Sequence, residues 1–305
     1  MSETNNIYFL DTDIGPDCDD TAALAILISL CRRTGSRLAG ITHCTGSPYG
    51  LATIDAICHG FGISVPLGTC PTRGFLSGPD ARKYTEEIAA RFEHSYPPDQ
   101  QQPDARETLV KALTDVPQGS VTLITIGPLN NLACFLREKK TEKLLHEKVK
   151  RIVCMAGCFN GLLPGAEWNV EMDILSAHTV AEKWEGQLDF CPFEAFADVM
   201  TGGCLSTFPN NPITTAYRLF TEGGMKRPSW DPGTVAAAVL GAQPPFAWSE
   251  NGNLRMDARG KTFFTPSAMG RFRYLKRIGT AHEAERQLEK LLAEATGEMK
   301  CRLQT

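Results

Sequence analysis

The fold of this chain is decided by one acidic stretch near its start, Asp11-Thr12-Asp13-Ile14-Gly15-Pro16-Asp17-Cys18-Asp19-Asp20. Residues 7–10 before it are β-branched, aromatic or apolar, which is typical of a buried strand, and residues 21–28 are rich in Ala, Leu and Ile, which favours a helix. Gly15 and Pro16 supply a turn between the two. The carboxylates are therefore predicted to lie at a strand-to-helix junction, where ligands bind in open α/β sheets.

The charge of this stretch predicts a metal site. One carboxylate, Asp19 or Asp20, could cap the helix that follows, but a cap needs a single side chain and the stretch carries five. Gathering like charges in a buried junction costs on the order of several kcal/mol unless a cation neutralises them. A hard divalent cation with oxygen ligands is the simplest explanation.

Composition excludes several classes of protein. A chain of 305 residues with 42 % hydrophobic content can bury a large core, and we expect one α/β domain over residues 1–305. The net charge of -4 and the absence of a Lys/Arg run argue against a nucleic acid or a membrane surface as partner. We expect a cytoplasmic protein, because no apolar run could span a bilayer and no signal peptide is evident. The 11 cysteines contain no CxxC and are interpreted as buried, reduced thiols.

Strand-like and helix-like segments alternate along the chain. Strands are predicted at 37–42, 64–68, 121–126 and 151–157, and helices at 52–61, 84–92, 106–113, 235–240 and 281–295. This order predicts a mostly parallel central sheet flanked by helices, with the active site at the C-terminal ends of the strands. Residues 94–104 form a polar, proline-rich loop that is either a lid or a connector, and residues 249–253 are expected to form a hairpin turn.

Three later segments carry candidate functional residues. Gly127-Pro128-Leu129-Asn130-Asn131 follows a strand, and Asn130 is predicted to cap the next helix. Ala166-Glu167-Trp168-Asn169 lies in a loop after another strand. Trp230-Asp231-Pro232 opens a helix, with Asp231 as the predicted N-cap and Pro232 in the first turn. Each segment on its own is also compatible with an ordinary loop or helix start.

Together the four segments resemble the inosine-uridine-preferring nucleoside hydrolases. The N-terminal signature of that family is Asp-x-Asp-Pro-Gly-x-Asp-Asp before an Ala-rich helix, and the resemblance runs in four ordered blocks from residue 7 to about residue 240. The chain differs by carrying Ile14 in place of the proline. It also has two extra residues before the final acidic pair, which leave Asp17 without a family role.

The resemblance implies a set of site residues. A calcium ion would be held by Asp13, Asp20, Asp231 and the backbone carbonyl of Ile126, with Asp13 also acting as the base. The ribose would contact side chains from three segments, namely Asp19, Met155, Asn160, Glu167 and Asn169. Trp230 stands where the family usually has a histidine, and an indole cannot donate a proton as an imidazolium does. We expect Trp230 to stack on the nucleobase instead.

The implied function is calcium-dependent hydrolysis of the N-glycosidic bond of ribonucleosides, in purine or pyrimidine salvage, by a homodimer or homotetramer. A phosphohydrolase of the haloacid-dehalogenase type is an alternative, because Asp11-Thr12-Asp13 after a strand fits a nucleophilic Asp-x-Asp. That class also needs a downstream lysine and a second acidic pair, which we do not find. A nucleoside- or sugar-binding homologue without catalysis is the other alternative, motivated by the missing histidine.

Overall fold

The computed structural model describes residues 6–70, 75–76 and 84–300. The strands, in chain order, are β1 Ile7–Thr12, β2 Arg37–His43, β3 Leu67–Thr69, β4 Val121–Thr125, β5 Val149–Met155, β6 Gln187–Cys191, β7 Met200–Thr201, β8 Arg227–Pro228, β9 Phe246–Trp248, β10 Gly252–Met256, β11 Thr262–Pro266 and β12 Phe272–Arg277. The helices are α1 Asp19–Thr34, α2 Gly50–Gly60, α3 Tyr84–Arg91, α4 Ala105–Leu113, α5 Asn130–Arg137, α6 Lys139–Lys148, α7 Trp168–Met172, α8 Ile174–Lys183, α9 Phe193–Phe196, α10 Pro212–Phe220, α11 Trp230–Leu240 and α12 Ala281–Glu298.

A ten-stranded sheet forms the centre of the molecule, in the order β11-β10-β12-β6-β5-β4-β1-β2-β3, with β9 paired to β12. Every pair from β12 through β6, β5, β4, β1 and β2 to β3 is parallel. The antiparallel pairs involve β9, β10 and β11. The predicted α/β fold with a mostly parallel sheet is therefore confirmed.

Strand β1 is buried on both faces, as its apolar sequence predicts for a central parallel strand. Tyr8 and Leu10 belong to the apolar cluster that contains α1, α11 and α12. Ile7 and Phe9 point the other way, into the cluster that contains α4, α5 and α8. Helices thus cover both faces of the sheet in a single domain.

The strand order reverses direction at β1. Strands β2 and β3 lie on one side of it, and β4, β5 and β6 lie on the other. Such a reversal opens a crevice at the carboxyl ends of the strands because neighbouring connections leave in opposite directions. Helices α1 and α11 pack against each other, which brings the beginning of α11 to this crevice.

The strands around residues 249–261 pair differently from the prediction. The hairpin expected at 249–253 is wrong, because β9 pairs with β12 rather than with β10. The turn at 257–261 instead joins β10 to β11, which are antiparallel neighbours. No helix in the described ranges has the length and apolar character that crossing a bilayer requires.

Candidate active site

A cavity of about 310 Å³ opens at the crevice beside β1. Its walls come from the loop after β1, the turn after β4, the end of β5, and the beginnings of α7, α9 and α11. The lining residues are Asp13, Pro16, Asp17, Asp19, Asp20, Ile126, Met155, Glu167, Trp168, Asn169, Phe193, Arg227, Trp230 and Asp231. The volume lies at the small end of the range usual for small-molecule sites.

The acidic loop is shaped by its turn residues. Strand β1 ends at Thr12, Asp13 follows directly, and Gly15 has φ +147°, a conformation that side chains rarely adopt. Helix α1 begins at Asp19, and its N-cap, Cys18, makes no side-chain capping hydrogen bond. The interpretation of Asp19 or Asp20 as a cap is therefore wrong. Both residues lie in the first turn of α1 and line the cavity.

Three buried carboxylates converge in the cavity. Asp19, Asp20 and Asp231 each offer one oxygen, and these oxygens lie within 4.8 Å of one another. The prediction that Asp231 is the N-cap of its helix is wrong, because α11 begins at Trp230 and its N-cap is Ser229. The backbone N–H of Asp231 donates to Asp19 Oδ2 at 3.1 Å, which ties the first turn of α11 to that of α1. The hydroxyl of Thr12 donates to Asp20 Oδ1. Asp13 lines the same cavity but is not a member of this group of three.

Burial and the charges of neighbouring carboxylates raise the pKa values of the aspartates in this cavity. Burial, followed by the charge of Asp20, raises the pKa of Asp13 well above its usual range. Burial and the neighbouring charges of Asp19 and Asp20 do the same to the pKa of Asp231. Burial raises the pKa of Asp20 to about 7. A divalent cation would offset the loss of hydration and the mutual repulsion, so these oxygen donors fit a hard metal ion.

The turn after β4 packs directly against Asp13. A Cβ atom added at Gly127 would lie 2.7 Å from Asp13 Oδ1, closer than real Cβ contacts allow. Ile126, the residue before Gly127, also lines the cavity, and its carbonyl accepts from the Asn169 amide at 3.5 Å. The prediction that Asn130 caps the next helix is wrong, because the N-cap of α5 is Leu129. The Asn130 amide instead donates to the carbonyl of Cys44 at 2.8 Å.

Glu167 and Asn169 also line the cavity, and hydrogen bonds with the backbone hold both side chains in place. Glu167 is the N-cap of α7: its Oε1 accepts from the N–H of Asn169 at 2.9 Å, and its Oε2 accepts from the N–H of Gly157 at 3.2 Å. Burial raises the pKa of Glu167 to about 7. The Asn169 amide donates to the carbonyl of Met155 at 3.0 Å, which leaves its Oδ1 without a partner in the described part of the chain.

Asn160 is the one implied site residue that the structure does not bring to the cavity. It is exposed, and its Oδ1 accepts from the N–H of Leu162 at 2.9 Å within its own turn. The backbone N–H of Asn160 donates to Glu194 Oε1 at 3.1 Å. Its contact with a sugar stays a prediction.

Three aromatic side chains also line the cavity and are called the aromatic rim here: Trp168, Phe193 and Trp230. The indole N–H of Trp230 donates to the carbonyl of Phe193 at 3.0 Å, and the two rings stack with their centroids 5.3 Å apart. Trp168 is 40 % exposed. Sequence reasoning missed Phe193, which follows directly after the strand β6 and its connecting proline. A position just beyond a parallel strand is the signal that could have identified it.

Asp17, which has no family role, pairs with Arg227. The Arg227 Nε donates to both oxygens of Asp17, at 3.0 and 2.9 Å, and Nη2 also donates to Oδ2. Both residues line the cavity. Arg227 was also missed from the sequence, although it stands four residues before Asp231. Asp17 is an acidic residue without an assigned role near the predicted ligand Asp20, and Arg227 is a basic residue without one near the predicted ligand Asp231. Two such residues of opposite charge are the pattern that indicates an ion pair.

Several solved structures of other proteins share the fold of this chain. The crystal structure of an inosine-uridine preferring nucleoside hydrolase from Bacillus anthracis is similar, with a TM-score of 0.70, 19 % identity, and 95 % of this chain and 99 % of that chain covered. The purine-preferring ribonucleoside hydrolase from Gardnerella vaginalis gives a TM-score of 0.72 at 16 % identity, covering 96 % and 98 %. The type III effector protein XopQ, solved with adenosine diphosphate ribose, gives 0.67 at 15 % identity, covering 97 % and 93 %. At these identities the structures show a shared fold.

Sequence comparison gives a relative and a family. An uncharacterized protein of Schizosaccharomyces pombe is 29 % identical over 182 residues, so the match spans about half of each chain, 56 % in both cases. The family model described as inosine-uridine preferring nucleoside hydrolase matches residues 8–271, which include every residue that lines the cavity. The chain therefore belongs to the inosine-uridine preferring nucleoside hydrolase family.

Proposed function

We propose that the protein hydrolyses the N-glycosidic bond of ribonucleosides, with calcium as its metal ion, and releases the base and ribose. One observation carries this proposal: Asp13 and Asp20 of the acidic loop meet Asp231, from the beginning of α11, in one cavity. Glu167 and Asn169 line the same cavity. A ribosyl group requires a metal site next to polar side chains that can bind its hydroxyls.

The donor set suits calcium. Asp13, Asp20, Asp231 and the carbonyl of Ile126 would hold the ion, because Ca²⁺ prefers several carboxylate and carbonyl oxygens in a flexible arrangement. When bound, the ion supplies a polarised water and a contact for the ribose diol. Asp19 lies beside Asp20 and Asp231, and we assign it to a ribose hydroxyl.

The remaining steps belong to side chains of this chain. Asp13 accepts the proton of the attacking water, since it lines the cavity directly beside Asp20, which would hold the ion. The bond between the anomeric carbon and the base nitrogen breaks, and its electron pair goes to the base. The acidic walls stabilise the positive charge that develops on the sugar. Glu167 and Asn169 orient the hydroxyls, so binding energy is used for positioning.

The aromatic rim would receive the nucleobase. Trp230 is already fixed by its hydrogen bond to the backbone and its stacking on Phe193, so little entropy is lost when a base joins the rim. Base stacking on aromatic rings is worth about 1 to 3 kcal/mol. Larger ring systems stack better, and we expect purine nucleosides to be preferred over pyrimidine nucleosides.

The haloacid-dehalogenase alternative fails on the position of Asp11. That carboxylate is buried, does not line the cavity, and accepts hydrogen bonds from Thr42, Thr125 and Asn131. A nucleophile needs an open approach, and here the neighbouring side chains occupy it. Asp11 is instead a structural link between β1, β2, β4 and α5.

A binding protein without catalysis remains a second candidate. It is favoured by Trp230 at the family's histidine position and by the fold shared with XopQ, which was solved with adenosine diphosphate ribose. Such a protein would keep the metal and sugar contacts, but it would not break the bond.

A substrate panel separates these candidates. Purified protein with calcium is incubated with inosine, guanosine, adenosine, uridine and cytidine, and free base is quantified; para-nitrophenyl phosphate and adenosine diphosphate ribose are tested in parallel. The proposal predicts release of base, fastest from purine nucleosides. Calorimetric binding of adenosine diphosphate ribose without any base release would favour the second candidate, and release of nitrophenol from the phosphate ester would contradict the proposal.

We also propose that the enzyme is cytoplasmic, serves nucleoside salvage, and assembles as a homodimer or homotetramer. Family membership supports the salvage role. Light scattering on the eluting protein measures the assembly directly. A monomeric mass at micromolar concentration would contradict the assembly.

A further inference from the structure

Arg227 lines the cavity, and one nitrogen of its guanidinium has no hydrogen-bond partner among the described residues. Nε and Nη2 are both taken up by Asp17. Nη1 makes no hydrogen bond with any residue that the structure describes. The side chain is 32 % exposed, so this free donor can reach a molecule in the cavity.

Several contacts hold the guanidinium in one orientation. Asp17 binds it in a forked geometry, and Asp17 is itself fixed because its Oδ1 accepts from the N–H of Cys18 at 2.6 Å and its carbonyl accepts from the Tyr84 hydroxyl. The guanidinium carbon lies 5.1 Å from the ring centre of Phe220 and 5.4 Å from that of Trp230. A donor held this way loses little entropy when it binds.

The position of Arg227 in the cavity decides what it meets. Arg227 lies beside the aromatic residues of the cavity, because its guanidinium carbon is 5.4 Å from the ring centre of Trp230 and Trp230 stacks on Phe193. A nucleoside whose sugar binds the carboxylates and whose base stacks on Trp230 brings that base next to Arg227. Arg227 therefore faces the leaving group rather than the sugar.

The chemistry of the leaving group defines what such a residue can do. When the glycosidic bond breaks, the base takes both electrons and becomes anionic at a ring nitrogen or exocyclic oxygen. An arginine stays protonated at neutral pH, so it cannot deliver the missing proton, which comes from solvent. It can stabilise the developing negative charge with a hydrogen bond from Nη1.

We propose that Arg227 is a catalytic residue that donates a hydrogen bond from Nη1 to the departing nucleobase, and that Asp17 is its positioning residue. This inference rests on the proposed nucleoside hydrolysis. It gives Asp17, which the family motif leaves without a role, a function, because Asp17 holds Arg227 beside Trp230. It also supplies leaving-group help at a site where Trp230 cannot.

Two substrates that differ in their leaving group test the proposal. Inosine needs help to expel its base, whereas para-nitrophenyl β-D-riboside expels a stable phenolate unaided. Arg227→Gln should lower kcat/KM for inosine by at least about a hundredfold, in line with the loss of one charge-stabilising donor, but for the nitrophenyl riboside by less than about fivefold. Arg277→Gln is the matched control, because Arg277 makes a forked ion pair with Asp198 away from the cavity.

A second variant separates catalysis from folding. Asp17→Asn keeps the shape of the pair but weakens its hold on Arg227, and it should show the same selective loss on inosine, by about tenfold. In the double variant the two losses should not multiply, because Asp17 acts through Arg227. Thermal melting of each variant shows that it is folded.

Each outcome decides the matter. A selective loss on inosine in either variant supports the role of Arg227. Equal losses on both substrates, or no loss on either, overturn it while nucleoside hydrolysis still stands. Wild-type protein that cleaves neither substrate refutes the proposed function and this inference with it. A loss seen only with inosine 5′-monophosphate would mean that Arg227 binds phosphate, and it would also overturn the proposal.

Discussion

Asp20 is the residue that we assign most directly to the proposed metal site. It is a member of the buried group with Asp19 and Asp231, and it lies next to Asp13. Asp20→Asn should lower calcium affinity by at least about tenfold and activity with it, because a neutral amide is a poorer ligand than a carboxylate. The fold should persist, since the change removes one of several repelling charges.

Calorimetric calcium titration of the folded variant measures this effect. Asp115→Asn is the control, because Asp115 is an exposed aspartate. An unchanged calcium affinity in the Asp20 variant would show that Asp20 does not bind the metal.

Asp13 carries the second prediction at this scale. As the base, it should contribute mainly to turnover, so Asp13→Ala should lower kcat by at least about a hundredfold with a smaller effect on KM. Steady-state kinetics with inosine at saturating calcium gives both constants. A mild loss confined to KM would mean that Asp13 is only a ligand.

His43 makes stability depend on pH. Its ring is buried, its Nε2–H donates to the carbonyl of Ile14 at 3.1 Å, and burial lowers its pKa to about 4. In the unfolded chain the pKa is near 6.5, so the unfolded state binds a proton first as the pH falls. The contribution of the neutral His43 ring to the free energy of unfolding is complete above pH 6.5. It is lost progressively as the pH falls towards about 4, by about 3 kcal/mol in all.

Urea unfolding between these pH values tests the dependence. The wild type should lose more stability than His43→Gln over the window, because glutamine does not titrate. Parallel stability curves for the two proteins would show that His43 does not cause the effect.

At the scale of elements, the turn between β4 and α5 is the most constrained. Gly127 has no side chain, and the Asp13 carboxylate occupies the space where a Cβ would stand. Gly127→Ala should displace Asp13 and lower turnover by at least about tenfold, since small misplacements of a catalytic group are costly. Gly165→Ala is the control, because nothing lies within 4 Å of a Cβ at that position. Equal turnover in both variants would show that the contact with Asp13 does not matter.

Local patterns predicted much of this element structure. The strand and helix on either side of the acidic loop follow from a short apolar run and an Ala-rich run, and α12 begins at Ala281 as expected. Caps were harder to predict. Asn130 is a good capping residue by type, yet its amide reaches Cys44 in another loop, a contact that no local pattern contains.

At the scale of the whole molecule, the site depends on pairings between distant segments. Asp231 meets Asp19 across 212 residues, and Arg227 meets Asp17 across 210. The family resemblance predicted the first meeting because Asp231 matches a motif. The second could not be predicted, because Asp17 has no counterpart in the family motif. Its partner, Arg227, comes close to it only when α11 packs on α1. The pairing of β9 with β12 was missed for the same reason.

The sheet as a whole explains why these residues meet. The reversal of strand order at β1 leaves the crevice open, and the helices on both faces close it from the sides. The position of the cavity therefore follows from the topology, whereas its charge follows from the acidic loop.

The central claim, that the acidic cavity is a calcium-dependent glycosidic-bond hydrolase site, is tested most directly by the metal dependence of inosine cleavage. Protein stripped by exhaustive chelation is incubated with inosine before and after calcium is restored, and hypoxanthine and free ribose are both quantified. The account predicts no cleavage after chelation, and after calcium is restored it predicts hypoxanthine and ribose in equal amounts. Full activity after chelation would contradict the metal site, and no release of base from calcium-loaded wild-type protein would contradict the hydrolysis itself.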